Sequence, residues 1–390
     1  MHIAFSTVRD LLAAGGIEKY TLELGSRLAS RGHRVTVFST AHYSAEQQQR
    51  LGMNVITCRS IASKFGEKAI ASATAALKML FDGDYDICHQ HSIVAGAFNR
   101  LANFGSARSS VLQMHGVEWR RTKWRPAARA AVHAIERFSI HQHRHWTAVS
   151  RTQCRQLRAE YGIEALYIPT AATIHPTADC QLIHGEWGLQ PGGYVLFASR
   201  LVPEKGAHLL IDAFQRLRTD LRLVIAGDSA NDRAYVDSLH RRAAGDPRIV
   251  FTGTVGGRRL QELFSNCYLY VQPSVVEGLS LALLEAMSFG ACCLVSDIDE
   301  NREAIAETGE TFESDNADDL RRKLSGLLAN RGMVHELGQA ARERVRQHYD
   351  WEHVTGQIEE LYHSMLAADA SALAGRRAKV ETAVQPWVRS

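Results

Sequence analysis

Two carboxylates stand eight residues apart in the run Pro273-Ser-Val-Val-Glu277-Gly-Leu-Ser-Leu-Ala-Leu-Leu-Glu285. Glu277 falls in the turn after a β-branched run, and Gly278 frees the backbone there for close approach. A helix beginning near Leu279 leaves its first N–H groups, through Ser280 and Leu281, without partners, and such a helix start takes a phosphate. Eight residues span just over two helical turns, so both carboxylates can face one bound ligand at different depths. A carboxylate accepts two sugar hydroxyls at once, which suits Glu285 to a ribose and Glu277 to a donor sugar. The same pattern also fits an ordinary amphipathic helix whose N-terminal acid is favoured by the dipole.

A second group is cationic. Arg200-Leu-Val-Pro-Glu-Lys205-Gly206 lies between a predicted strand and a predicted helix. Arg offers a planar fork to phosphate oxygens and Lys a compact charge. Together they can neutralise a departing diphosphate, work that a metal does elsewhere; a solvated loop is the alternative. In the first half, Gly15-Gly16 lets backbone N–H groups approach phosphates, and the absence of GxGxxG after the first strand argues against a dinucleotide cofactor. His115-Gly116 follows a strand, where an imidazole either faces a cleft or satisfies the core. His89 and His91 share one strand face, but no third ligand is evident, so no metal is invoked.

Short β-branched runs alternate with helical patterns, the signature of βαβ units. Strands are expected at Ile3–Ser6, Val35–Ser39, Asp86–His89, Ser110–Met114 and Trp146–Ser150, with a helix at Glu18–Arg31 ended by Gly32. The pattern restarts at Tyr194–Ser199 and runs through strands at Arg222–Ala226, Arg248–Gly253, Leu269–Gln272 and Cys292–Ser296. Helices are expected at Ala207–Leu217, Arg258–Ser265 and Leu279–Phe289. Segment 169–193, with three prolines, Gly192 and Gly193, reads as an irregular hinge. The expected architecture is α/β: two Rossmann-like, doubly wound parallel-sheet domains, 1–168 and 169–351, facing a central cleft. A helix is expected from about 352; the role of the tail from 367 is unreadable.

The 390 residues are too many for one ordinary core, and 45% hydrophobic with 22% charged residues suits a globular chain. No apolar run reaches the ~20 residues of a transmembrane helix, and the first residues read as a strand rather than a signal peptide. Seven scattered cysteines without CxxC argue for a reducing cytoplasm and against a zinc site or disulfide framework. Residues 1–170 carry 22 Lys/Arg against 12 Asp/Glu, whereas 171–390 carry 23 against 30. The first half therefore favours an anionic partner. Within it, Trp119-Arg120-Arg121-Thr-Lys123-Trp124-Arg125 opens a basic stretch, 119–158, that suits an anionic membrane surface. A solvated face or a cleft wall for an anionic acceptor fits as well; no nucleic-acid motif is present.

The E-x7-E spacing, the Arg200–Gly206 loop and the strand end Leu223-Val-Ile-Ala-Gly-Asp228 together resemble the retaining glycosyltransferases of the GT-B fold, family 4, from residue 1 to about 366. The resemblance implies that Arg200 and Lys205 bind the donor diphosphate, that Glu285 holds the ribose and that Glu277 contacts the donor sugar. It implies that Thr254 and Val255 lie against the base, and that the helix from about 352 packs back on the first domain, with Trp351 at the crossing. Amides at Gly278, Leu279, Ser280 and Leu281 would cap phosphate or sugar, Gly15 and Gly16 would close over the diphosphate, and His115 would touch the sugar. Three positions depart from the family pattern: Ser280 stands where many relatives have Gly, Asp299-Glu300 where many have two glycines, and Pro169-Thr170-Ala171 where Pro-Asn-Gly is usual.

The expected activity is metal-independent, retaining transfer of a hexose from a UDP- or GDP-linked donor to a glycan or lipid-linked acceptor, without cofactor, in polysaccharide or lipopolysaccharide synthesis. Glu277, Arg200, Lys205 and His115 are the expected catalytic groups. Attack on the face that the diphosphate leaves fits best, because no second carboxylate for a covalent intermediate is evident. The alternatives are a nucleotide-sugar epimerase or hydrolase of the same fold, and a non-catalytic nucleotide-sugar-binding protein. The expected location is cytoplasmic, peripheral on the inner face of the membrane.

Overall fold

The computed structural model describes residues 1–9, 11, 15–40, 49–61, 66–82, 84–104, 109–116, 119, 126–229 and 232–384. The first half builds an eight-stranded sheet from β1 (His2–Val8), β2 (Arg34–Thr40), β3 (Gln49–Arg50), β4 (Met53–Cys58), β5 (Ile87–Gln90), β6 (Ser109–Met114), β7 (His145–Ala148) and β8 (Leu166–Tyr167). The second half builds six strands: β9 (Tyr194–Ala198), β10 (Arg222–Ala226), β11 (Ile249–Gly253), β12 (Leu269–Gln272), β13 (Cys293–Ser296) and β14 (Glu310–Phe312). The strand orders are β3-β4-β2-β1-β5-β6-β7-β8 and β11-β10-β9-β12-β13-β14. Every pairing is parallel except the short β3–β4 hairpin.

Helices connect these strands: α1 (Gly16–Ser30), α2 (Gly66–Asp82), α3 (Ile93–Gly96), α4 (Asn99–Ala102), α5 (Pro126–Ile140) and α6 (Arg151–Tyr161) in the first half. The rest are α7 (Leu182–Trp187), α8 (Ala207–Gln215), α9 (Arg233–Ala243), α10 (Gly257–Asn266), α11 (Leu281–Ser288), α12 (Asp299–Ile305), α13 (Ala317–Leu328), α14 (Arg331–His348) and α15 (Trp351–Val384). Their starts follow local chemistry. Ser150 caps α6 by accepting from Gln153 N–H, and Asn316 caps α13 by accepting from Asp318 and Asp319 N–H. Gly162 and Gly188 end α6 and α7 in the left-handed region.

Strand burial explains why these runs are strands of parallel sheets. β9 and β12 are buried at every position, as sheets covered on both faces require. Two apolar layers sandwich the second sheet, one around Phe197, Phe214 and Leu294, the other around Tyr194, Leu196 and Leu284. In the first half, Ile3, Phe5 and Val37 share a core with Val354, Ile358, Tyr362 and Met365 of α15. Burying each such side chain contributes roughly 1.5–3 kcal/mol, which anchors the terminal helix on the first sheet. The two connecting segments lie together where the chain crosses, Ala172 N–H donating to Tyr349 O at 3.0 Å.

Three expectations change. Segment 169–193 is not wholly irregular: it holds α7, whose first N–H groups at Leu182 and Ile183 donate to the buried Glu262 carboxylate at 2.8 and 3.2 Å. The glycines and prolines around that one helix hid it. The helix expected from Leu279 begins at Leu281, because the Ser280 hydroxyl accepts from Leu283 N–H and so fixes the cap two residues later. The tail from 367, unreadable in the sequence, continues the last helix: α15 runs to Val384.

Candidate active site

Open parallel sheets bind ligands beyond the carboxyl ends of their strands, where strand order reverses. In the first sheet that point lies between β1 and β5, and in the second between β9 and β12. The residues singled out by chemistry cluster at these two points. β1 leads to the Gly15-Gly16 loop, β5 carries His89 and runs on into His91, and β6 leads into His115. β9 leads to Arg200–Lys205, and β12 leads to Pro273–Ser280.

Two glycines hold the pieces together. Gly206 adopts φ +70°, and a Cβ there would sit 2.2 Å from the Pro273 carbonyl oxygen. Only glycine lets the cationic loop lie so close to the Pro273 loop, and the Val275 N–H donates to Glu204 O at 3.0 Å to fix the approach. Lys205 Nζ then reaches Glu277 Oε1 at 2.5 Å, with side chains only 14% and 7% exposed. Gly278 is buried against the first domain; a Cβ there would lie 2.1 Å from the His115 carbonyl oxygen. The buried Gln153 braces the same corner, its amide donating to Met114 O at 3.0 Å and accepting from Gly116 N–H at 3.2 Å.

The start of α11 faces the glycine loop: a Cβ on Gly16 would come 3.7 Å from Leu281 Cδ1. Ser280 caps that helix and donates to Gln272 Oε1 at 2.7 Å, while Gln272 Nε2 donates to Asn301 Oδ1 at 2.9 Å. Ser280 thus ties the Pro273–Ser280 loop to β12 and α12 through a buried polar network. Arg200 is exposed, and its guanidinium has no partner among the described residues. Thr254 is exposed, and Val255 packs partly against the second core. Leu279 does the same, so its contribution toward the cleft is its backbone.

Glu285 is not open to the cleft as a lone carboxylate: Lys19 of α1 pairs with it across the two domains. A second cross-domain contact is Glu303 of α12, whose carboxylate accepts from the N–H groups of Arg151 and Thr152 at 2.7 and 3.0 Å and so caps α6. Sequence reasoning missed Lys19, Glu303 and Gln153. The signal for Lys19 was a cation in the first turn of α1, where the dipole disfavours it unless an anion is near. Glu300 is partly buried beside Gln156, and burial raises its carboxyl above the usual range.

His89, His91 and His115 do come together. Their ring centroids are 4.5 Å apart for His89–His91 and 5.2 Å for His91–His115. Burial pushes His115 and His89 down to about 3, and drives His91 well below its ordinary value. All three imidazoles are therefore neutral at pH 7. His89 belongs to the core, 0% exposed and bonded to Tyr362 and Gln113. Of the basic stretch, Arg120, Arg121, Lys123, Trp124 and Arg125 lie outside the described residues. No helix among the described residues is long and apolar enough to cross a membrane.

The pattern of the family described as Glycosyltransferase Family 4 matches residues 14–176, and that described as Glycosyl transferases group 1 matches residues 183–344. A phosphatidyl-myo-inositol mannosyltransferase of Mycolicibacterium smegmatis is 27% identical over 369 residues, covering 91% of each chain. Among solved structures, the sucrose-phosphate synthase of Thermosynechococcus elongatus superposes with a TM-score of 0.82 at 19% identity, covering 94% of this chain and 100% of the other. Anabaena HepE, solved in complex with UDP-glucose, superposes at 0.77 with 17% identity, covering 93% and 100%. With both halves matched, two facing parallel-sheet domains and the acidic and cationic loops at their switch points, the chain belongs to the family 4 glycosyltransferases of the GT-B fold.

Proposed function

We propose that this glycosyltransferase moves a hexose from a UDP- or GDP-linked donor to a lipid-linked or growing glycan, with retention and without a metal. The observation that carries the reading is the Lys205–Glu277 pair held at the start of α11, directly across Gly278 from His115. As the diphosphate departs, the anomeric carbon gains oxocarbenium character and the leaving oxygens gain charge. Lys205, Arg200 and the N–H groups at the start of α11 supply fixed positive potential there. Glu277 keeps one oxygen on Lys205 and offers the other to a sugar hydroxyl. A carboxylate so engaged is a poor covalent nucleophile, which supports attack from the face the diphosphate leaves, with the phosphate taking the acceptor proton. The HepE neighbour's UDP-glucose supports a nucleotide-sugar donor.

The acceptor side is read from the first domain. α5 exposes Ile135 and Phe138, three residues apart and so on one face, and carries exposed Arg129 and Arg137 elsewhere on its surface. An exposed apolar face on a basic helix suits an anionic bilayer, and the Mycolicibacterium relative is a phosphatidyl-myo-inositol mannosyltransferase. NMR of the product tests the reaction. The expected result is the donor's anomeric configuration, formed at full rate in EDTA; an inverted product, or loss of activity in EDTA, overturns it. Donor consumption with no acceptor present would favour the epimerase or hydrolase instead.

A further inference from the structure

His91 is a buried residue that no step above uses. It is 2% exposed, stacked on Phe5 at 5.4 Å, with Tyr20 edge-on at 5.4 Å. Its Nδ1 lies 3.1 Å from His115 Nε2. Its other nitrogen, Nε2, is buried and has no hydrogen-bond partner among the described residues. The neighbouring His89 is settled by its own partners. Its Nε2 faces the Gln113 carbonyl oxygen at 2.8 Å and must carry the hydrogen, while its Nδ1 accepts from the Tyr362 hydroxyl at 2.5 Å.

Between His91 and His115, one nitrogen must donate and the other accept. If His115 Nε2–H donates, then His91 accepts at Nδ1 and must carry its own hydrogen on Nε2. That leaves a buried N–H without a hydrogen bond of normal geometry, because the oxygen of the nearby Gln113 side chain is already taken by His89, the rarer and costlier kind of orphan. If His91 Nδ1–H donates, its Nε2 is a bare acceptor in an apolar pocket, which is better tolerated. A neutral His115 that accepts at Nε2 then carries its hydrogen on Nδ1. Among the described residues only Nε2 of His115 makes a hydrogen bond, and the residue is half-buried just beyond β6, its backbone carbonyl against Gly278 of the donor loop.

From this geometry we infer that His91 is a positioning residue: by donating from Nδ1 it locks His115 in the Nδ1–H tautomer and makes it a hydrogen-bond donor, not a base, toward an oxygen of the bound sugar nucleotide. The inference rests on the donor reading above for the identity of that oxygen, and on this chain's own contacts for the tautomer. Burial, which holds both rings neutral, keeps the lock in force across the physiological range. The sugar oxygen that His115 meets must be able to accept, so a donor with that hydroxyl replaced by hydrogen would lose the contact while a fluorine substituent would partly keep it.

The test is ring-nitrogen NMR of the unliganded full chain labelled with 15N-histidine, with His115 assigned by the signal lost in His115→Gln. The expected spectrum shows His115 protonated at Nδ1 and bare at Nε2, and His91 protonated at Nδ1; a His115 protonated at Nε2 overturns the proposal. Kinetics supply the second readout. His91→Asn keeps an N–H near the position of Nδ1 and should retain kcat within about twofold. His91→Leu removes the donor and should lower kcat about tenfold with the acceptor KM unchanged, the size of one lost polar contact. Equal activity of the Leu and Asn variants overturns the positioning role. Nucleotide binding by the wild type, measured separately as a thermal shift, reports on the donor pocket alone, so a failure there is told apart from a failure of the tautomer.

Discussion

Lys205 and Glu277 share a contact of 2.5 Å in a site that excludes most water, so removing one partner strands the other. Lys205→Ala should lower kcat/KM by about 100–1,000-fold, the scale of one lost transition-state electrostatic contact. It should also lower stability by about 1–3 kcal/mol, because the Glu277 carboxylate loses its cation. Steady-state kinetics and denaturant melts check both, and a variant with wild-type kcat/KM would remove Lys205 from the mechanism. Ser280 makes a separate case. Ser280→Gly costs only a few tenths of a kcal/mol as a cap, but it also removes the donor to the buried Gln272 oxygen. The expected total is about 1 kcal/mol in a urea melt; no change would mean that the network is not felt by the fold. The identities of these residues were legible in the sequence. Their partners were not, because Lys19–Glu285 and Gly278–His115 join residues more than 150 positions apart and depend on how the two domains meet.

At the scale of elements, the cleft is set by where helices start and strands end. α11 begins at a serine cap, and the Gly278 just before it touches the end of β6. Gly278→Ala places a methyl group against the His115 carbonyl oxygen, so the loop on one domain is pushed away from the strand end on the other. Small-angle scattering should show a larger radius of gyration and kinetics a lower kcat, with little change in the melt of the second domain; unchanged scattering with full activity contradicts the contact. The ends of β5 and β6 carry a different signature. His89, His115 and, on β7's approach, His143 are held at about 3, 3 and 4 by burial, below an unfolded value of 6.5. Between those values the unfolded chain binds more protons than the folded one. Stability is therefore complete above about pH 6.5 and drains as pH falls toward 4, by about 1.4 kcal/mol per pH unit for each proton. Unfolding at pH 5 should take up at least two protons, read from the slope of stability against pH; fewer than one would mean that these rings are hydrated. β10 and β12 were legible to the residue, since their apolar runs are bounded by turn residues. α7 was not, because six helical residues between glycines and prolines leave no periodicity to read.

The whole molecule is tied by a chain that crosses between its halves twice, at 168–172 and at 349–351. Trp351 lies at the second crossing, 3% exposed and 5.5 Å from Tyr20, and α15 then lays Ile358 and Tyr362 into the first core. Ile358→Ala should cost about 2–5 kcal/mol, although the residue is 350 positions from the strand it packs with. The two-domain plan was visible as a repeated βαβ pattern, and the return of the last helix only through the family resemblance. The closeness of the two halves was not, since Glu303 capping α6 leaves no mark in local sequence. The claim that joins these scales is that the cleft holds a nucleotide diphosphate between Lys205 and the start of α11. It is tested most directly by thermal unfolding with UDP, GDP and ADP, on the wild type and on Lys205→Ala. One nucleotide at 100 times its Kd should stabilise the wild type by about 2.7 kcal/mol and shift the variant far less. No shift with any of the three, or an equal shift in both proteins, would contradict the account.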